Sequence, residues 1–196
     1  MTTLLLYGGE TDPAAPVSRT GGLPLVPDGF VWPLCAECER AMQFIAHLDR
    51  GEDVVSVFMC QNDPGMCEEW DPSAGGNRAR VLPAEGLAPA AVPAEGRTLL
   101  EDVSVLVAQR VEAKGYGQAD TDGPVDGRPV LGQLGGVPAW LQNDETPDCG
   151  GCGEQMGFVA QLEEGHGHAA PINFGGGCAY VFACDACKEA AFLWQC

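Results

Sequence analysis

Apolar and polar side chains alternate along several short runs of this chain. From Met42 to Leu48 the apolar residues fall at 42, 44, 46 and 48, the period-two signature of a half-buried strand. Val55 to Cys60 reads as a second short strand, and Gly51-Glu52-Asp53 between the two predicts a turn and therefore a hairpin. Val103, Val105, Val107 and Val111 predict a strand over Asp102 to Glu112. A lead strand is expected at Leu4 to Tyr7, and later strands at Ala179 to Ala183 and Ala191 to Gln195. Segments such as Gly21-Gly22-Leu23-Pro24 and Trp32-Pro33 should be extended or turning, because proline fixes φ and removes a donor. Pro and Gly are too dense for long helices, so the expected class is mainly β, or β-rich α+β.

The pattern is written twice. Gly21, Gly22, Pro24, Cys35, Cys38, Met42, Phe44, Ala46 and Leu48 recur as Gly135, Gly136, Pro138, Cys149, Cys152, Met156, Phe158, Ala160 and Leu162, at a constant offset of 114. Val57-Phe58-Met59-Cys60 then answers Val181-Phe182-Ala183-Cys184 at an offset of 124. Ten extra residues thus enter the second copy, most simply between Glu164 and Gly176. An unbroken register of this length indicates an internal duplication. Two pseudo-symmetric lobes of antiparallel strands are expected, at 1–82 and 99–196. The Pro/Ala/Gly-rich stretch 83–98 reads either as a surface linker or as an extended arm clamped to the second half.

Each copy owns four cysteines. The first offers C-x2-C-x21-C-x6-C at Cys35, Cys38, Cys60 and Cys67; the second offers C-x2-C-x31-C-x2-C at Cys149, Cys152, Cys184 and Cys187. Zn²⁺ prefers four thiolate or imidazole ligands in a tetrahedron; a C-x2-C turn presents two sulfurs, and two further cysteines from the end of a hairpin close the site. Two structural Zn²⁺ ions are therefore expected; reduced core cysteines without metal, or disulfides formed on purification, are the alternatives. Cys178 and Cys196 have no counterpart in the first copy and read as spare, Cys178 beside Tyr180. His166 and His168 fall in the insertion, so a site common to both copies cannot depend on them. His47 stands where the second copy has Gln161 and reads as a hydrogen-bonding edge residue.

Charge narrows the function. Ten basic residues face 28 acidic ones, a net of −18, with −8 in residues 1–98 and −10 in residues 99–196. Such a field repels nucleic acid and anionic membranes and attracts basic partners, though acidity also serves simple solubility. No apolar run approaches the ~20 residues of a membrane helix, and the first residues lack a signal-peptide pattern. The expected compartment is the cytoplasm, where thiols stay reduced. No G-x-S-x-G, Walker loop or H-E-x-x-H occurs, so no catalytic residues are assigned. A C-x-x-C thiol oxidoreductase is the leading alternative, but redox pairs sit in a strand–turn–helix setting and strands follow these knuckles. A zinc ribbon binding nucleic acid is a third reading that the charge disfavours.

Gly21-Gly22-Leu23-Pro24, Trp32-Pro33, Cys35-x-x-Cys38, Met42-x-Phe44-Ile45-Ala46-His47-Leu48 and Val57-Phe58-x-Cys60 resemble the YwqG-like bacterial family of unknown function. Leu134 to Gln142, the pair Cys149 and Cys152, and Tyr180 to Cys184 are similar to the eukaryotic programmed-cell-death-protein-two family. His47 departs from the common Gln of the pattern. The resemblance implies a two-lobed β-rich fold without an established catalytic set. It implies a role like that of eukaryotic relatives that chaperone a basic ribosomal protein, or of bacterial relatives associated with toxin neutralisation. The resulting expectation is a zinc-stabilised acidic protein that masks a basic protein client. The client's seat is expected in a groove between the halves, lined by Trp32 and Trp140. The acidic cluster Glu68, Glu69 and Asp71 around Trp70 reads as a solvated turn or as part of that binding face.

Overall fold

The computed structural model describes residues 1–117, 125–165 and 172–196; His166 and His168 lie outside them. Twelve strands carry the fold of the described residues: β1 Thr2–Glu10, β2 Arg19–Thr20, β3 Leu25–Val26, β4 Gln43–Asp49, β5 Asp53–Met59, β6 Asn77–Pro83, β7 Ala88–Pro89, β8 Ser104–Val111, β9 Val130–Leu134, β10 Gly157–Glu163, β11 Cys178–Cys184 and β12 Glu189–Gln195. The β-rich expectation holds. Ten of them form one antiparallel sheet in the order β12-β11-β10-β9-β1-β8-β2-β4-β5-β6, while β3 and β7 pair separately.

That order is a palindrome under the duplication. β2, β4 and β5 map onto β9, β10 and β11 by the sequence offsets, and β6 and β12 are the matching outer strands. Small details repeat as well. Gly21 and Gly135 donate to the carbonyls of Ile45 and Val159, each at 2.8 Å. Both copies carry a bulge at the same place, between Phe44 and Ala46 and between Phe158 and Ala160.

The lobes are not the contiguous blocks 1–82 and 99–196. β1, from the first half, pairs with β9 of the second; β8, from the second half, pairs with β2 of the first. β1 and β8 then pair with each other, from Thr2↔Val111 to Glu10↔Ser104. Each half thus lends its first strand to the other, and one sheet runs through both. The run Leu4-Leu5-Leu6 suits this central place, because all three are buried on one face of the sheet or the other.

Two half-sheets with one apolar face each must cover those faces, and here they cover each other. Ile45, Leu48, Val55 and Val57 share a single core with Val159, Leu162, Val181 and Phe192. The outer strands β6 and β12 come together as the sheet curls round, which shields both edges. At that seam Trp194 N–H donates to the Trp70 carbonyl at 3.4 Å, and the two rings meet edge-on at 6.1 Å. Two ion pairs, Arg50–Asp185 at 2.8 Å and Lys188–Asp53, tie the β4–β5 turn to the β11–β12 turn.

Residues 83–98 are neither a free linker nor an arm on the second half. Ala88–Pro89 pairs with Leu25–Val26 of the first half, and Ala90 N–H donates to the Pro24 carbonyl at 2.9 Å. Farther on, Phe44 N–H donates to the Thr98 carbonyl at 2.8 Å. The chain must travel from β6 at the sheet's edge to β8 at its centre, and it does so across the face of β4–β5 that points away from the shared core. No helix of the described residues is long and apolar enough to cross a membrane.

Candidate metal centres and the polar tier beneath the straps

All eight cysteines predicted as ligands converge, four and four. In each tetrad the Sγ atoms lie within 4.8 Å of one another, and all are free thiols. Cys38 and Cys60 Sγ are 3.6 Å apart, Cys152 and Cys184 Sγ 3.8 Å. A tetrahedron with Zn–S of about 2.3 Å has S···S edges of about 3.8 Å. The donor set and its spacing fit two structural zinc sites.

The backbone prepares these sites. Cys35 N–H donates to the Arg40 carbonyl at 2.9 Å, and Cys149 N–H to that of Glu154 at 2.8 Å. In every half-site the residue after the second cysteine has positive φ: Glu39 (57°), Glu68 (48°), Gly153 (76°) and Lys188 (55°). That left-handed residue turns the chain back so that both sulfurs point to one side. Only Gly153 takes it without strain. Relieving about 1–2 kcal/mol of left-handed strain, against roughly 0.5–1 kcal/mol of glycine entropy, Glu39→Gly should stabilise the zinc-loaded protein by about 0.5–1 kcal/mol in urea titration. Glu39 is exposed, so no contact is lost in exchange.

The tetrads differ in surroundings. Cys35, Cys60 and Cys67 are buried, and the first tetrad packs against Trp32, Met42, Phe44 and Phe58. In the second, Cys152 is exposed, and the Glu189 carboxylate lies 3.2 Å from both Cys149 Sγ and Gly151 N. A Cβ at Gly151 would lie 3.0 Å from Cys187 Sγ, so a larger residue there would crowd the tetrad.

Four sulfurs this close cannot all ionise without a cation. Burial, with the thiols of Cys60 and Cys35, pushes the Cys67 thiol far up. The thiols of Cys149 and Cys152 push Cys187 up to about 12, while the Cys187 N–H and the Cys149 thiol hold Cys184 below the usual thiol range. A divalent ion resolves the conflict by pairing with the thiolates.

The residues expected to hold a partner are placed otherwise. Trp32 is buried, donates Nε1–H to the Met42 carbonyl at 2.8 Å and meets Phe58 edge-on at 5.6 Å. Trp140 lies 4.4 Å from the Tyr180 ring and 5.8 Å from Phe182. Each indole covers the cysteine-side cluster of its own half, so the two do not line a common groove. Glu69 is 1% exposed and accepts from Gly65 N–H inside the Cys60–Cys67 loop, so it is no rim residue. Asp71 caps a turn, accepting from the N–H and hydroxyl of Ser73, and these bonds hold its carboxyl below the usual range. Glu68 is exposed. A cleft of about 350 Å³ does lie between the halves, but its walls are Asp49, Arg50, Gly135, Phe158, Val159 and Asp185 among others.

Sequence reasoning missed a buried polar tier. The segments after Gly21-Gly22 and after Gly135-Gly136 run as straps over the outer face of the sheet, and polar side chains beneath hold them there. Arg19 is fully buried; its Nε donates to the Ala15 carbonyl at 3.0 Å and its two Nη atoms to the carbonyls of Gly21 and Leu23. In the second half Gln133, the counterpart of Arg19, donates to the Val137 carbonyl at 3.1 Å; Val137 is the counterpart of Leu23. Tyr180 completes that side, donating to the Ala139 carbonyl and accepting from Leu141 N–H, both at 3.0 Å. His47 is not an edge residue: β4 lies between β2 and β5, and the imidazole is 2% exposed. Cys178 does sit beside Tyr180, with Sγ 3.2 Å from its hydroxyl. The one signal for this tier was a polar residue two places before each glycine pair, Arg19 and Gln133.

No family model matches the chain. A curated relative, an uncharacterized protein named YpfL from Salmonella typhimurium (strain LT2), is 36% identical over 66 residues, which is 34% of this chain. The chain spans only 15% of that protein's length.

Proposed function

We propose that this protein is a zinc-stabilised, non-catalytic binding protein of the cytoplasm whose acidic surface masks one basic protein client, as a chaperone or immunity factor does. The observation that carries the reading is how the charge is spent. Of ten basic residues against 28 acidic ones, Arg19 is buried under the first strap and Arg50 and Lys188 are consumed in ion pairs between the halves. The zinc-bound tetrads add about −2 each, since four thiolates outweigh one Zn²⁺. What remains is a strongly negative net field, in which exposed basic residues such as Arg40, Arg78, Arg80 and Arg97 are outnumbered, and such a field steers and holds basic partners. The cleft between the halves offers a client's basic side chain the exposed carboxylate of Asp49, while Arg50 at the same wall is already neutralised by Asp185. The resemblance to chaperones of a basic ribosomal protein agrees with this reading. The sulfur tetrads favour it over thiol oxidoreduction, because a pair held in a metal site is not free to form a reversible disulfide.

Affinity capture on the zinc-loaded chain at low and high ionic strength tests the proposal. One basic protein should dominate at low salt and be released as salt rises. Partners that are neutral or acidic, or a complex indifferent to salt, would overturn it.

A further inference from the structure

The tier beneath the straps is complete in the second half and incomplete in the first. Tyr180 pairs across the sheet with Gln161 in one half; at the matching place in the other, Ser56 pairs with His47. Replacing a tyrosine by a serine removes a whole ring. The hydrogen bonds go with it: His47 Nδ1 and Ser56 Oγ are buried and have no partner. Buried polar atoms without partners are uncommon and costly.

Ser56 itself lines no cavity, but next to its cross-strand partner lies one of about 240 Å³, lined by His47, Asp49, Leu25, Val54, Ala84 and Leu87 among others. The duplication identifies what it corresponds to. Leu25, His47 and Asp49 map by the offset of 114 onto Ala139, Gln161 and Glu163, and Val54 maps by the offset of 124 onto Cys178. Those are the surroundings of the Tyr180 hydroxyl, which touches the Ala139 carbonyl and Cys178 Sγ. Gln161 in turn donates to Cys178 Sγ at 3.3 Å and to Glu163 at 3.4 Å. The crossover residues Ala84 and Leu87 roof the first-half cavity in place of the indole of Trp140, whose counterpart is Val26.

We propose that this cavity is a binding site for a phenol ring, which would occupy in the first half the place that Tyr180 fills in the second. The volume is ample, since a cavity of about 150 Å³ already accepts a benzene ring. Its walls are apolar at Leu25, Val54 and Leu87, and its polar end carries the imidazole and Asp49, whose carboxylate accepts from Gly51 N–H at 2.8 Å. Burial, helped by the nearby Arg19, lowers His47 to about 4, so at neutral pH the ring is uncharged and one nitrogen accepts a phenolic O–H. A neutral hydroxyl can pair with the orphan His47 Nδ1 without adding charge between Arg19 and Asp49, which act on that imidazole in opposite directions. The phenol could come from a small molecule or from a tyrosine side chain of a partner protein, and the recognition chemistry is the same.

The zinc-loaded full chain, titrated with p-cresol, with N-acetyltyrosinamide and with toluene, distinguishes these. Saturable shifts at His47 and Val54 are expected for p-cresol, with toluene about tenfold weaker because it lacks the hydroxyl. Ring-to-methyl nuclear Overhauser contacts should appear at Leu25, Val54 and Leu87 in the unaltered protein. Ser56→Tyr should fill the cavity from within, abolish binding and raise the melting temperature. Equal or tighter binding of the tyrosine amide points to a partner's side chain; binding of p-cresol alone points to a free small molecule. Absence of saturable binding up to about millimolar ligand overturns the proposal, as do contacts located elsewhere in the unaltered protein.

Discussion

Cys60→Ser, or removal of both metal ions by a chelator, is expected to unfold the entire chain in one cooperative step. Binding free energies for structural Zn²⁺ in small peptides are about 10–16 kcal/mol, much of it realised as folding free energy. A domain's whole stability is about 5–15 kcal/mol, so loss of the first tetrad exceeds what the rest can supply. Cys60 follows β5 directly in a fully buried place, and its tetrad organises Trp32, Met42, Phe44 and Phe58. Damage there cannot stay local, because β1 and β8 are exchanged between the halves and the central core draws on both. Metal release should nevertheless be ordered. Cys152 is exposed and the second tetrad carries the Glu189 carboxylate beside it, so a chelator should take the second ion first. Circular dichroism followed against zinc released, with two equivalents per chain at the end, checks both statements. A chain that keeps its sheet without metal would refute the first, and release from the buried tetrad first would refute the second.

Arg19→Met should cost about 3–5 kcal/mol, measured by urea denaturation of the zinc-loaded protein. Three carbonyls, of Ala15, Gly21 and Leu23, lose their donor. The bond to Gly21 is buried and those to Ala15 and Leu23 partly so; a buried acceptor left unpaired costs about 1–3 kcal/mol and a half-wet one less, and the loss is partly offset because a charged guanidinium no longer has to be buried. That burial penalty is visible in the guanidinium itself, which desolvation lowers to about 10. Methionine keeps the apolar stem against Phe44, whose ring centroid lies 5.5 Å from the Arg19 Cζ. Arg19→Gln should cost about half as much, because glutamine can repeat the bond that Gln133 makes to Val137. Equal losses for the two variants would show that the strap is held by packing and not by the hydrogen bonds.

The repeating cysteine turns and the period-two runs were enough to predict the hairpins and both sulfur tetrads. Those features are local: a C-x2-C turn and a strand of alternating burial carry their own instructions within a few residues, and the duplication vouched for them twice. The strand Asn77–Pro83 escaped, since its polar face and its arginines at 78 and 80 hide the alternation of buried Asn77, Ala79 and the half-buried Val81. The burial of Glu69 and of Trp32 also escaped, because a charged side chain and an indole read as exposed or exposable until the loop around the first metal site is closed.

What the chain's order of residues determined by itself was the unit: a metal-clipped antiparallel sheet, written twice, with a strongly negative charge. What only the tertiary structure decided was how the two units join. Pairing of Leu4-Leu5-Leu6 with strands of the other half is a non-local choice, made because an isolated half-sheet would leave an apolar face and an edge in water. The same joining decided which polar residues lie beneath the straps. It also left one of two equivalent places, opposite His47, without the ring that fills the other.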